Sequence, residues 1–149
     1  MKRKMIAIVG LFLITVFTPG AGALAQDSAK VLVTILHASN DGHDFNLEND
    51  AYRDQLIKLF SYTHYQQIGQ RYAFMERSEP QTVMLPGGYE MILTSQGEEN
   101  GRLSFGVLIR KEGKQYVRTS LSSLKNGVVF LGGPPYEKGV MIIVLEMGF

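Results

Sequence analysis

Val128-Val129-Phe130-Leu131-Gly132-Gly133-Pro134-Pro135 and, shortly after it, Val140-Met141-Ile142-Ile143-Val144-Leu145 decide the class of fold. Both are apolar, β-prone runs punctuated by glycine and proline, the pattern of strands buried on both faces. Val117–Leu121 reads as a strand before them, and Lys125-Asn126-Gly127 as the turn between. Gly132–Gly139 reads as a glycine-proline loop joining the last two strands, Val128–Leu131 and Val140–Glu146. The rest of the chain has to cover these strands.

Upstream, Leu103, Phe105, Val107 and Ile109 alternate with Arg102, Ser104, Gly106 and Leu108, a period of two that buries one face of a strand. Tyr89, Met91 and Leu93 do the same. Gly97–Gly101 and Lys111–Lys114 are polar turns, and Pro86-Gly87-Gly88 is a turn in which glycine supplies positive φ. Tyr62–Ile68 and Gln70–Glu76 suggest a hairpin around Gly69, and Val31–Leu36 is a first apolar strand. One stretch has helical period. Over Asn49–Ser61, Tyr52, Leu56, Leu59 and Phe60 form one stripe, with Asn49 or Asp50 able to cap its start. Strands separated by turns every 8–12 residues or so, with one helix, give a mainly β (α+β) domain. The expected fold is an antiparallel, β-sandwich-like domain with one amphipathic helix after the first strand, the helix lying on a sheet face or closing one end.

The chain of 149 residues begins with Lys2-Arg3-Lys4, an apolar run over Met5–Phe17 and a small-residue site at Ala23-Leu24-Ala25. This is the layout of a secretory signal peptide over 1–25, cleaved before Gln26; the run is short of the roughly 20 residues of a membrane span. A single domain over 26–149 follows. Removing Lys2, Arg3 and Lys4 turns the formal charge of +1 into −2 and leaves no basic stripe, so nucleic acid is not an expected partner and no stable membrane span is expected after cleavage. Cysteine is absent, which excludes disulfides, a thiol nucleophile and thiolate metal sites. A leader with no cysteine suits a bacterial periplasmic or secreted protein.

Polar chemistry is densest over His37–Asn46, with His37, Asn40, Asp41, His43 and Asp44. Asp44, Asn46 and Glu48 alternate as oxygen ligands do in a calcium loop, but Asn49 and Gln55 stand where that loop needs glycine and a bidentate glutamate. His37, His43 and Asp44 offer a zinc set of no standard spacing. A solvated loop leading to the helix cap accounts for the same residues, so no metal and no cofactor is expected. No serine lies in a Gly-x-Ser-x-Gly elbow, and Glu98-Glu99 reads as a solvated turn; the expectation is a protein that is not an enzyme. Tyr62, Tyr65, Tyr72 and Phe74 form an aromatic cluster that sheet packing explains as well as a ligand face does. Met141, Ile143, Leu145, Met147 and Phe149 alternate as in the last strand of an outer-membrane barrel, yet the opposite face, which would line a polar lumen, is apolar.

Three blocks, Ile35-Leu36-His37-Ala38-Ser39-Asn40, Leu85-Pro86-Gly87-Gly88 and Leu131-Gly132-Gly133-Pro134, together resemble a set of small exported bacterial proteins of unassigned function. Asn126–Gly133 is similar over a short stretch to the secretin domain of outer-membrane channels, with Pro134-Pro135 departing from that pattern. The resemblance implies a cell-envelope protein and carries over no catalytic residue. The reading is therefore an exported cell-envelope β-domain, a non-enzymatic binding or structural module. Its candidate binding loops hold His37, Asn40, Asp41, His43 and Asp44; Pro86, Gly87 and Gly88; and Gly132, Gly133, Pro134 and Pro135. Its expected partner is another envelope protein. Two alternatives stand beside it: an accessory of a secretion or outer-membrane assembly, and a small metal-dependent enzyme using the His37–Asp44 loop.

Overall fold

The computed structural model describes residues 28–148; the expected signal peptide and Phe149 lie outside them. In chain order the elements are β1 (Ala29–Ser39), β2 (Phe45–Asn46), a 3-10 turn (Asp50–Tyr52) running into α1 (Arg53–Leu59), β3 (His64–Met75), β4 (Gln81–Met84), β5 (Glu90–Glu99), β6 (Arg102–Lys111), β7 (Lys114–Leu124), β8 (Val128–Tyr136) and β9 (Gly139–Gly148). They form a five-stranded sheet, β2-β3-β1-β9-β8, and a four-stranded sheet, β4-β5-β6-β7. All pairings are antiparallel except the two-residue pairing of β2 with β3. The expected class holds: mainly β, two sheets in a sandwich-like arrangement, one short helix.

The main core lies between the sheets. Val31, Val33 and Ile35 of β1 and Met141, Ile143, Leu145 and Met147 of β9 meet Met91 and Leu93 of β5 and Leu103, Phe105, Val107 and Ile109 of β6. The alternation read in β5 and β6 is the alternation of buried and half-buried residues found there. β9 is different: Met141–Leu145 are all buried, because α1 covers its other face. Tyr52 and Leu56 press onto Leu36, Ala38, Tyr65, Ile142 and Val144 to form a second, smaller core.

The helix is shorter than its sequence stripe. Asn49 caps the 3-10 turn, its Oδ1 accepting from the Ala51 N–H at 3.0 Å. Phe60 is already extended (φ −131°), so the helix ends at Leu59 rather than Ser61. Tyr52 and Leu56 are buried and Phe60 packs against the small core, but Leu59 is 56% exposed. One turn beyond Leu56 the chain has turned toward β3, and the sheet no longer lies beneath the stripe.

Two further expectations are corrected. Gly69 is no hairpin turn: β3 runs through it as one strand against β1, with the register slipping so that Ile35 faces Gly69 and Leu36 faces Gln67. Ile68 is the extra residue of a bulge, a frequent use of an isolated strand glycine. Gly132–Gly139 is likewise no loop. β8 continues through Gly-Gly-Pro-Pro to Tyr136, with a bulge against β9 between Gly132 and Pro135. Proline has no N–H to give a ladder, so the pair fits because β8 is an edge strand. Gly133 fits because a Cβ there would lie 2.8 Å from the Met141 carbonyl oxygen. As an edge strand β8 is not buried on both faces: Val128 is 43% exposed.

Candidate functional site

The sandwich has two ends. At one end lie the β1–β2 connection, the Pro86–Gly88 turn, the β6–β7 turn and the β8–β9 turn. Contacts tie them together. The Tyr89 hydroxyl donates to the Pro135 carbonyl oxygen at 2.8 Å, and the His37 and Tyr136 rings meet edge to face at 5.4 Å. Lys111 places its ammonium 5.1 Å from the centre of the Tyr89 ring, and Lys138 Nζ is 3.6 Å from Asp41 Oδ2. At Gly87, φ is +76° and any Cβ would press on the Tyr136 ring at 3.2 Å. The Pro86–Gly88 turn therefore seats on the end of β8 and cannot carry a larger residue at Gly87 without strain.

A cavity of about 480 Å³ opens at this end. β1 and β3 form its floor because Ser39 pairs with His64 and His37 with Gln66, which puts all four on one face of the sheet. Asp41, Glu137 and Lys138 line its rim. His37 Nε2 and His64 Nδ1 are buried and have no hydrogen-bond partner. Leaving such groups unpaired costs on the order of 1–3 kcal/mol each. Gly42 packs against the His64 ring, and the loop is pinned by Thr63, which donates from N to Asn40 Oδ1 at 3.2 Å and from Oγ1 to the Gly42 carbonyl at 2.6 Å.

The residues singled out in the sequence thus fall into three groups. His37 and Asp41 line the cavity; Asn40 holds the loop; His43 and Asp44 are exposed to one side. Pro86, Gly87 and Gly88 belong to the same end through Tyr89 and Tyr136. Gly132, Gly133, Pro134 and Pro135 are strand residues, of which Pro134 is buried and Pro135 takes part through its carbonyl. His37, His43 and Asp44 do not come together as a ligand set, and among the described residues no group of three His, Asp or Glu side chains is placed to hold a metal ion. His64 was not among the candidate residues, because it lies beyond the helix and far from the loop in sequence; its pairing opposite Ser39 of β1 shows only once the register is known.

Sequence reasoning also missed a second cavity, a groove of about 600 Å³ between α1 and β8. Tyr52, Gln55 and Leu59 form one wall, Val128–Phe130 the other, and Asn49 and Glu146 supply polar groups. Burial pushes the Tyr52 phenol well above its usual range, and the adjacent Glu146 carboxylate pushes it further, so the hydroxyl stays protonated. Burial likewise raises Tyr65 and Tyr89. Comparison with protein families, with curated proteins and with solved structures finds no match to this chain.

Proposed function

We propose that this is an exported cell-envelope β-domain that acts as a non-enzymatic binding module, with the end of the sandwich around His37 and His64 as its recognition surface. The observation that carries this reading is the convergence there of chain segments far apart in sequence, around two buried imidazole nitrogens without partners. A rigid two-sheet scaffold presenting loops at one end is a common way to build a binding site. The mix of Ser39, Gln66, Asp41, Glu137 and Lys138 suits a polar ligand group that accepts from or donates to the imidazoles. The export part of the reading rests on the leader over 1–25 and on the absence of cysteine.

The test is photo-crosslinking in native cells. A photoreactive residue replaces Asp41 or Lys138 at the cavity rim, or Glu99 or Asn100 at the far end. The expected result is a discrete adduct from positions 41 and 138, none from 99 and 100, with the mature protein outside the cytoplasm and starting at Gln26. Adducts confined to the far end, adducts at neither end, or an uncleaved cytoplasmic protein would overturn the reading.

A further inference from the structure

A sheet edge is a row of unpaired N–H and C=O groups ready to accept another strand, and proteins usually blunt it. The edges other than that of β8 are blunted. β2 has two residues and covers only Tyr65 and Gln66, and beyond them the open edge of β3 is broken by the bulge at Ile68 and carries exposed Arg71; β4 has four residues and follows Pro80; β7 carries exposed Lys114 and Arg118. The first half of β8 is not. Val128-Val129-Phe130-Leu131 holds no charge and no proline, and Val128 is 43% exposed. The strand register places Val128 and Phe130 on the face that carries α1, and Val129 and Leu131 on the face toward the main core. The groove beside α1 thus lies where side chains of an added strand would fall on the Val128–Phe130 face.

We propose that the outer edge of β8 takes an extended segment of a partner protein as an additional antiparallel strand, with a lysine or arginine of that segment reaching over Val128 to Glu146. Glu146 is the one charged residue lining the groove and has no ion-pair partner among the described residues. The nearby Lys30 instead places its ammonium 4.2 Å from the centre of the Tyr72 ring. Glu146 pairs directly with Val128 across β9 and β8. An added strand would run about 4.8 Å from β8 and hence roughly 10 Å from β9, a gap that the facing side chains of a lysine and a glutamate span. The apolar walls suit the stem of the basic side chain, while Glu146, Asn49 and the Tyr52 hydroxyl meet its head. Main-chain pairing gives such a complex its affinity and the alternate side chains its selectivity. A second copy of this chain fits less well, because two β8 edges paired antiparallel bring no cation to Glu146.

The experiment is an NMR titration of the mature protein with a blocked heptapeptide, Val-Thr-Lys-Thr-Val-Thr-Val. Controls carry Glu in place of Lys, or Pro in place of the central Thr. The expected result is saturable amide shifts over residues 128–132 and 144–147, with slowed exchange of β8 amides. Both control peptides should bind about tenfold more weakly or worse. Glu146→Gln should weaken the lysine peptide by a similar factor and abolish its preference over the glutamate peptide. Val128→Lys, at an exposed position, should block binding while leaving the rest of the spectrum unchanged. Three results would overturn the proposal: no shift in β8 at millimolar peptide, equal binding of the lysine and glutamate peptides, or a concentration-dependent dimer through β8 that the peptide does not displace. Shifts confined to residues 37–41 and 137–138 would overturn it too, while favouring the loop-end reading instead.

Discussion

β9 and β6 are both interior strands, each flanked by two antiparallel neighbours, yet they are buried differently. β6 alternates, with Leu103, Phe105, Val107 and Ile109 inward and Ser104, Gly106 and Leu108 half-exposed. β9 is buried continuously from Met141 to Leu145. The difference is α1. Together with the 3-10 turn that leads into it, it engages two residues, Tyr52 and Leu56, and converts the outer face of one sheet into a second core, while the other sheet leaves its outer face to water. The same asymmetry gives the groove beside β8 its second wall, whereas the bare outer face of the other sheet holds a smaller hollow of about 360 Å³ lined by β5, β6 and β7 alone.

The sharpest test of this contrast is a charge on each outer face. Ile142→Asp places an unpaired carboxylate under α1 and is expected to cost at least about 4 kcal/mol and to prevent folding. Leu108→Asp, on the half-exposed face of β6, should cost on the order of 1 kcal/mol. Urea denaturation of both variants measures the difference, and similar losses would break the contrast. Leu56→Ala removes the centre of the small core and should cost roughly 2–4 kcal/mol. Hydrogen exchange should then speed up over residues 50–59 before it changes in β5 and β6. Gly133→Ala forces a methyl group against the Met141 carbonyl at the β8 bulge and should cost about 1–3 kcal/mol in the same assay.

A smaller effect appears at alkaline pH. The Tyr52 phenol titrates higher in the folded protein than its ordinary value of 10.0. Above that value the unfolded chain loses its proton first, so it binds fewer protons than the folded protein and stability falls as pH rises. The contribution is fully present below about pH 10 and is lost above it. Stability measured from pH 8 to 11.5 should be flat and then decline, and Tyr52→Phe should make the decline shallower. Tyr65 and Tyr89, raised in the same sense, leave a residual slope. The smallest change is expected on the outer face of the four-stranded sheet. Arg110→Ala breaks a solvent-exposed ion pair with Glu90, 3.0 Å long, and should cost no more than about 0.5 kcal/mol.

Much of this fold was legible in the sequence because local rules and global structure agree there. The alternation at Tyr89–Leu93 and Leu103–Ile109 is the inward face of β5 and β6, and Asn49 is the cap of the helical segment. Glu112-Gly113 and Asn100-Gly101 both take positive φ in tight hairpins. The candidate site was legible only in part. Three loops were chosen for their polar and turn-forming residues, and residues of all three do meet at one end. Their actual content differs: His64 joins His37, whereas His43 and Asp44 stay outside.

What the amino-acid order alone determined is whatever depends on near neighbours: the period of each strand, the positions of most turns, the helix start, and the apolar runs that had to be buried. Tertiary structure decided what depends on pairing. The chain runs straight through Gly69, with a bulge at Ile68 instead of a turn, because β1 offers a continuous partner on both sides of it. Gly-Gly-Pro-Pro became strand because β8 lies at an edge, where missing N–H groups leave no gap in a ladder. Register put His37 and His64 on one face, diagonally across β1 and β3, and the placement of α1 over β9 made the groove that ends at Glu146. A glycine or proline limits its own backbone and that of its neighbours; which strand lies across from it is fixed by distant residues.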